Sequence, residues 1–187
     1  MATADEQLVV GLVLVGGRSR RMGTDKALLD HEGRPLAARV LDALAEAGIA
    51  DRRIAGGSHT HAARLGVPQI NDLHPGAGPV RAIVDAWSEI GDRDLLITPC
   101  DLPWIDAETL TRVLEAGRVT TAGVALASMD GRAQYPLGWW SRTARPAVSA
   151  AVESGSESFG ATLAGIEVVT VECGAAVRDA DTPDAIR

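Results

Sequence analysis

Residues 8 to 15 read Leu-Val-Val-Gly-Leu-Val-Leu-Val and stop at the pair Gly16-Gly17. An apolar run this short, rich in valine and closed by glycine, is a buried strand; it is far below the length that crosses a membrane. The loop Gly16-Gly17-Arg18-Ser19-Arg20-Arg21-Met22-Gly23-Thr24-Asp25-Lys26 follows it directly. Glycine lets backbone N–H groups approach an anion closely, and Lys26 ends the loop. Lys26 is the only lysine; the other basic residues are all arginine. A lone ammonium marks a place for a compact point charge on a long stem rather than a planar fork. Strand, glycine loop and lysine together describe a phosphate cradle.

The rest of the chain repeats the same alternation of strand and helix. Pro35 to Gly48 has helical spacing, with Leu36, Val40, Leu41 and Leu44 on one side. Asp51 to Ala55 is a strand, residues 59 to 65 a short helix and Val67 to Ile70 another short strand. Pro79 to Ile90 is a helix with proline in its first turn, Asp94 to Thr98 a strand, and Asp106 opens a helix to about Ala116. This order predicts a three-layer α/β/α, Rossmann-like sheet, mostly parallel. The last third is less regular, with strands at Gly123 to Ser128, Gln134 to Trp140 and Glu167 to Val171 and a helix over Arg142 to Val152. Mixed strand directions are expected there.

At 187 residues, 46% hydrophobic, the chain suits one domain with a full core. We read residues 1–187 as one domain with a regular half, about 8–105, and a less regular half, about 106–187. No membrane segment or secretion signal is visible, and Cys100 and Cys173 lack metal-type spacing. A cytoplasmic protein with free thiols is expected. The net charge of −7 argues against nucleic-acid binding, which needs a basic surface. It permits a nucleotide ligand, since Arg18, Arg20, Arg21 and Lys26 concentrate positive charge locally. By charge alone that cluster equally fits a solvated loop; the glycines and the strand decide for phosphate.

Three further segments carry chemistry. Leu95-Leu96-Ile97-Thr98-Pro99-Cys100-Asp101-Leu102-Pro103 ends a strand at a carboxylate, at the sheet edge where α/β proteins place ligands. Alone, such an aspartate reads more often as a turn or helix-start residue; beside a phosphate loop, a magnesium ligand becomes the better reading. Asp72 to Arg81, Asp-Leu-His-Pro-Gly-Ala-Gly-Pro-Val-Arg, is a turn that opens a helix. Asp179-Ala180-Asp181-Thr182-Pro183-Asp184 is a second acidic turn. His31, His59, His61 and His74 are scattered in loop-like places as solvent or packing residues. Trp139-Trp140 on a strand point to opposite faces, so one is expected inside and one outside.

In this order the segments resemble the molybdenum cofactor guanylyltransferases, the MobA-like nucleotidyltransferases. In that family a strand leads into LAGG-x-S-x-RMG-x-DKAL, matched by residues 14 to 28 with Val15 in the alanine place. The family's aspartate and GPL-type helix start match Asp72 and Gly78-Pro79-Val80. Its CD-x-P strand end matches Cys100-Asp101-Leu102-Pro103, its proline-leucine strand matches Pro136-Leu137, and its N-x-N-T-P segment matches Asp179 to Asp184.

The resemblance implies GMP transfer from GTP to molybdenum-bearing molybdopterin, with release of pyrophosphate. Leu14, Val15, Gly16, Gly17 and Arg18 would hold the nucleotide at the cradle, and Arg21 and Lys26 would offset the triphosphate charge. Asp101 and Asp181 would bind Mg²⁺, while Asp72 and Gly78 would line the base and ribose pocket. Proteins that deliver the cofactor or accept it are possible partners. Two departures bear on this. Gly56-Gly57-Ser58-His59 stands where the family carries an Asn-Arg segment that helps read guanine, and aspartates replace asparagines in the closing segment. Cytidylyl transfer, transfer to a sugar phosphate, and a non-catalytic nucleotide-binding accessory therefore remain open.

Overall fold

The computed structural model describes residues 8–15 and 26–180. Nine strands and six α-helices are found among them. The strands are β1 (Val9–Leu14), β2 (Asp30–His31), β3 (Arg34–Pro35), β4 (Asp51–Ala55), β5 (Gln69–Ile70), β6 (Asp94–Pro99), β7 (Val124–Met129), β8 (Arg132–Trp140) and β9 (Val168–Glu172). The helices are α1 (Leu36–Glu46), α2 (His59–Leu65), α3 (Pro79–Ile90), α4 (Ala107–Val119), α5 (Arg145–Glu153) and α6 (Phe159–Thr162). The expected alternation is present. Val67 to Ile70 shortens to two strand residues, and the helix expected from Arg142 starts as a 3₁₀ turn, Arg142–Ala144. The hairpin β2–β3 was not foreseen; its turn is Glu32-Gly33, both with positive φ.

Seven strands form one sheet in the order β5-β4-β1-β6-β8-β7-β9, and β2–β3 form a separate two-stranded sheet. β1 pairs in parallel with both β4 and β6. β8 is antiparallel to β6 and to β7, while β9 runs parallel to β7. The mixed direction expected in the last third is thus confined to one strand. The whole remains an α/β sandwich of three layers.

Each strand of the centre feeds two cores, because successive side chains leave opposite faces of the sheet. From β1, Val9 and Val13 pack on the side of α1 and α4, whereas Val10, Leu12 and Leu14 pack on the side of α3 and α5. All six β1 residues are buried, which is why the run lacks polar alternation. Fully buried side chains such as Leu12, Leu36, Leu44 and Leu95 each contribute roughly 1.5–3 kcal/mol relative to exposure.

The tryptophan pair corrects the expectation of one inside and one outside. Trp139 joins the α1/α4 core and Trp140 the α3/α5 core, and both are buried. The faces are opposite as the pleat demands; helices cover both. Trp139 fits against α4 only because residue 117 is glycine, since a Cβ there would overlap the indole ring. Cys100 and Cys173 are not joined in a disulfide, both are buried, and burial pushes the Cys173 thiol up.

Candidate active site

The chain runs outward from β1 through β4 to β5, then returns to lay β6 on the other side of β1. Where strand order reverses this way, the carboxyl ends of neighbouring strands open a crevice. Here that crevice lies between the ends of β1 and β6, paired up to Leu14 and Pro99. The register continues one step, with the Cys100 N–H donating to the Leu14 carbonyl at 3.2 Å. Val15 is tied on the other side, its N–H donating to the Ala55 carbonyl at 2.9 Å. Leu14 and Val15 are buried, so they form the floor and present main chain to the crevice.

Asp101 stands at the lip of β6 because its neighbours face inward: Cys100 and Leu102 are both buried. Its side chain is 26% exposed, and the Lys26 ammonium approaches Oδ2 at 3.4 Å. Lys26 comes from a 3₁₀ turn, Lys26–Leu28, anchored by buried Ala27. The Leu29 N–H closes that turn on the Lys26 carbonyl at 3.1 Å. Two residues that lie 75 positions apart in the chain thus meet at the switch point.

A third segment converges there. The Ala180 N–H donates to the Asp101 carbonyl at 2.9 Å, and Ala180 is buried beside Leu36 and Leu29. The acidic turn that begins at Asp179 therefore reaches Asp101. Gly16, Gly17, Arg18, Arg21 and Asp181 lie outside the described residues.

The other expected residues sit at the same edge, farther along. Asp72 follows β5, is exposed, and accepts the His74 N–H at 3.2 Å. Gly78 caps α3 with φ of 90°. Between them the turn is braced by a buried carboxylate: Asp85 of α3, only 3% exposed, meets His74 Nδ1 at 3.0 Å and Arg81 Nε at 3.3 Å. Asp85 was not among the expected residues, and Arg81 closed the expected segment without a role assigned to it. Their i,i+4 spacing was visible, but nothing local linked them to the loop.

Gly56-Gly57-Ser58-His59 turns out of β4 toward α2. Gly57 has φ of 73°, and a Cβ there would lie 3.1 Å from both the Val15 and His61 side chains, so the turn closes tightly on the end of β1. Its Gly56 carbonyl accepts from Gln69 Nε2 at 2.9 Å. His61 Nδ1 accepts the Ser58 N–H at 3.0 Å and so starts α2.

Chemically, the crevice joins a cation and a carboxylate at the end of a parallel sheet. A partly exposed carboxylate offers the hard oxygen donors that Mg²⁺ takes. Among the described residues no group of three or more His, Cys, Asp and Glu could hold a metal ion. Asp101 supplies one such oxygen donor at the crevice. Among the described residues, no helix is long and apolar enough to cross a membrane.

The chain is 35% identical over 134 residues to the molybdenum cofactor guanylyltransferase of Cereibacter sphaeroides, covering 70% of this chain and 67% of that protein. It is 36% identical over 105 residues to the enzyme of the same name from Xanthomonas euvesicatoria, covering 56% of this chain and 52% of that one. The matched stretch thus spans between about half and two thirds of these relatives. In architecture it resembles the molybdopterin-guanine dinucleotide biosynthesis protein A of Archaeoglobus fulgidus, with a TM-score of 0.76 at 21% identity over 95% of this chain and 94% of that one. The MobA-like NTP transferase domain matches residues 11–166, and the chain belongs to that family.

Proposed function

We propose that the protein transfers GMP from GTP to molybdenum-bearing molybdopterin, releasing pyrophosphate. A phosphate oxygen of the acceptor attacks the α-phosphorus of GTP. The bond to the bridging oxygen breaks, and pyrophosphate leaves with that electron pair. The attacking oxygen is already anionic near neutral pH, so no general base is required. The barrier is the approach of two anions, which positioning and countercharge lower. The observation that carries this reading is the meeting of Lys26 and Asp101 at the crevice between β1 and β6.

In this reading the amides of Gly16, Gly17 and Arg18 hold the triphosphate, with Arg21 and Lys26 supplying positive charge. Leu14 and Val15 form the floor beneath the nucleotide. Asp101 and Asp181 would hold Mg²⁺, which would supply charge neutralisation to the triphosphate. The Ala180–Asp101 hydrogen bond brings the described end of the acidic segment to Asp101. Asp72 and Gly78 line the base and ribose pocket on the β5 side. The protein works in the cytoplasm, where a carrier that delivers molybdopterin or receives the product is a natural partner.

Guanine is the base we favour, from the names of the relatives. The turn after β4 offers glycine main chain instead of an amide side chain, so base selection is the part to test. Pyrophosphate release should be measured with GTP, CTP, ATP and UTP, with Mg²⁺ and molybdopterin. GTP should be preferred by at least about tenfold, a margin of about 1.4 kcal/mol. Preference for CTP would replace guanylyl by cytidylyl transfer. Absence of turnover with all four would leave a binding protein.

A further inference from the structure

The chain has one tyrosine, one phenylalanine and four tryptophans. Its tyrosine and phenylalanine are spent on a single contact: Tyr135 and Phe159 lie parallel, with centroids 5.7 Å apart and planes 5° apart. Phe159 in turn packs edge-on against Trp140, 6.0 Å away at 61°. Trp140 is fully buried, so the stack is founded on the core. Tyr135 is its outer member, 46% exposed. A half-exposed ring held parallel to a second ring offers a flat, rigid face at the surface.

Its place follows from the register. β8 opposes β6 with Leu95 facing Trp140, Leu96 facing Trp139 and Ile97 facing Gly138. Residues of β8 before Gly138 run past the last β6–β8 pair toward the carboxyl end of β6, so Tyr135 lies on the same edge of the sheet as Asp101. Between the pairs Leu126–Gly138 and Ser128–Ala133 the register shifts, and Gln134 to Leu137 of β8 bulge opposite Ala127 of β7. The expected nucleotide pocket, with Asp72 and Gly78, lies on the opposite side of β1, beyond β4 and β5. Displacement at phosphorus is in line, so the attacking group enters from the side away from the leaving pyrophosphate.

We infer that the Tyr135–Phe159 stack is the platform on which the planar heterocycle of the acceptor rests. This rests on the guanylyl-transfer reading and names the acceptor side of that same site. The platform binds a flat, heteroaromatic ring by its face, fixing the distance from the ring to Asp101 while the phosphate arm reaches the crevice. It requires an aromatic ring and not the tyrosine hydroxyl.

The test separates KM from kcat. Tyr135→Ala should raise the KM for molybdopterin about tenfold, the scale of losing one stacking face, and leave the KM for GTP and kcat within about twofold. Tyr135→Phe should behave as wild type. Tyr135→Leu, which keeps apolar bulk, serves if the alanine variant unfolds, and should show the same rise. Independently of turnover, the fluorescence of a simple pterin such as 6-hydroxymethylpterin should be quenched by the wild type and by Tyr135→Phe but not by Tyr135→Ala. An unchanged acceptor KM, or a rise confined to GTP, would overturn the platform. If the wild type turned over no nucleotide, the guanylyl-transfer reading would fall, and the pterin quench would still decide: equal quenching by both proteins, or none by either, overturns the inference.

Discussion

The two edges of the sheet use charge in opposite ways. At the amino edge, charged groups neutralise one another. Asp51 accepts from Arg53 at 3.0 Å and from Arg93 at 2.7 Å, and Arg53 reaches on to Glu89. Asp94 accepts the Arg142 N–H at 2.8 Å. At the carboxyl edge, Lys26 and Asp101 stand at 3.4 Å, at the long end of hydrogen-bond range, beside glycine turns. The first arrangement ties loops to the ends of strands. The second leaves a cation and an anion side by side at the proposed site. Position on the sheet, more than residue type, separates the two arrangements.

The comparison is sharpest at Lys26. Lys26→Ala should lower turnover about a hundredfold or more, the effect of removing a preorganised charge near 3 kcal/mol, and leave the thermal midpoint within a few degrees. Lys26→Arg should also be poor, since the guanidinium is wider and differently shaped. Normal turnover of Lys26→Ala at saturating GTP and Mg²⁺ would remove the carboxyl edge from the chemistry. Asp101→Asn should lower turnover at low Mg²⁺ by at least about tenfold, again with little change in melting. Titration of activity against Mg²⁺ checks this.

At the amino edge the effects should reverse. Burial opposes ionisation of Asp51, but hydrogen bonds and charge from Arg53 and Arg93 outweigh it and hold its carboxyl below the usual range. Its ionised form is therefore favoured by folding. Asp51→Asn should cost about 1 kcal/mol near neutral pH, or about 2–4 °C in a chain of this size, and keep full activity. Since the folded-state value is depressed, the difference from wild type should shrink as pH falls below about 4. A loss of turnover beyond twofold would show that the edges are not independent.

The smallest effect belongs to Asp94. Burial raises its carboxyl above the usual range, outweighing the Arg142 N–H that donates to it. A raised folded-state value means that ionised Asp94 weakens the fold above that value. Asp94→Asn should therefore be neutral or slightly stabilising at pH 7, by up to about 0.5 kcal/mol, and show no advantage below about pH 4. Melting curves at both pH values would show the sign.

Most of the sheet was legible because its strands are either short apolar runs closed by glycine or follow a helix with clear spacing. Asp51 to Ala55 and Pro79 to Ile90 match the expected limits. α6 was not legible, since four residues are too few for a helical period. The tryptophan pair shows a different limit: alternation reports that Trp139 and Trp140 face apart, but whether a helix covers each face is decided by distant segments. The same holds at the site. Lys26 and Asp101 announced themselves through their local motifs, and their meeting followed from strand order. Asp85, buried under the β5 loop, and Tyr135, backed by Phe159, carried no local mark. Their partners arrive through tertiary packing.

The hydrogen bond from Ala180 to the Asp101 main chain fastens the last described stretch onto the backbone of the residue whose carboxylate meets Lys26. Anything that pulls on that stretch, whether a bulky fusion, a nick by a protease or a neighbouring subunit, would be felt by Asp101 before it was felt by the sheet. Such a molecule would keep its circular dichroism and lose its catalysis, a silent failure that only an activity assay detects.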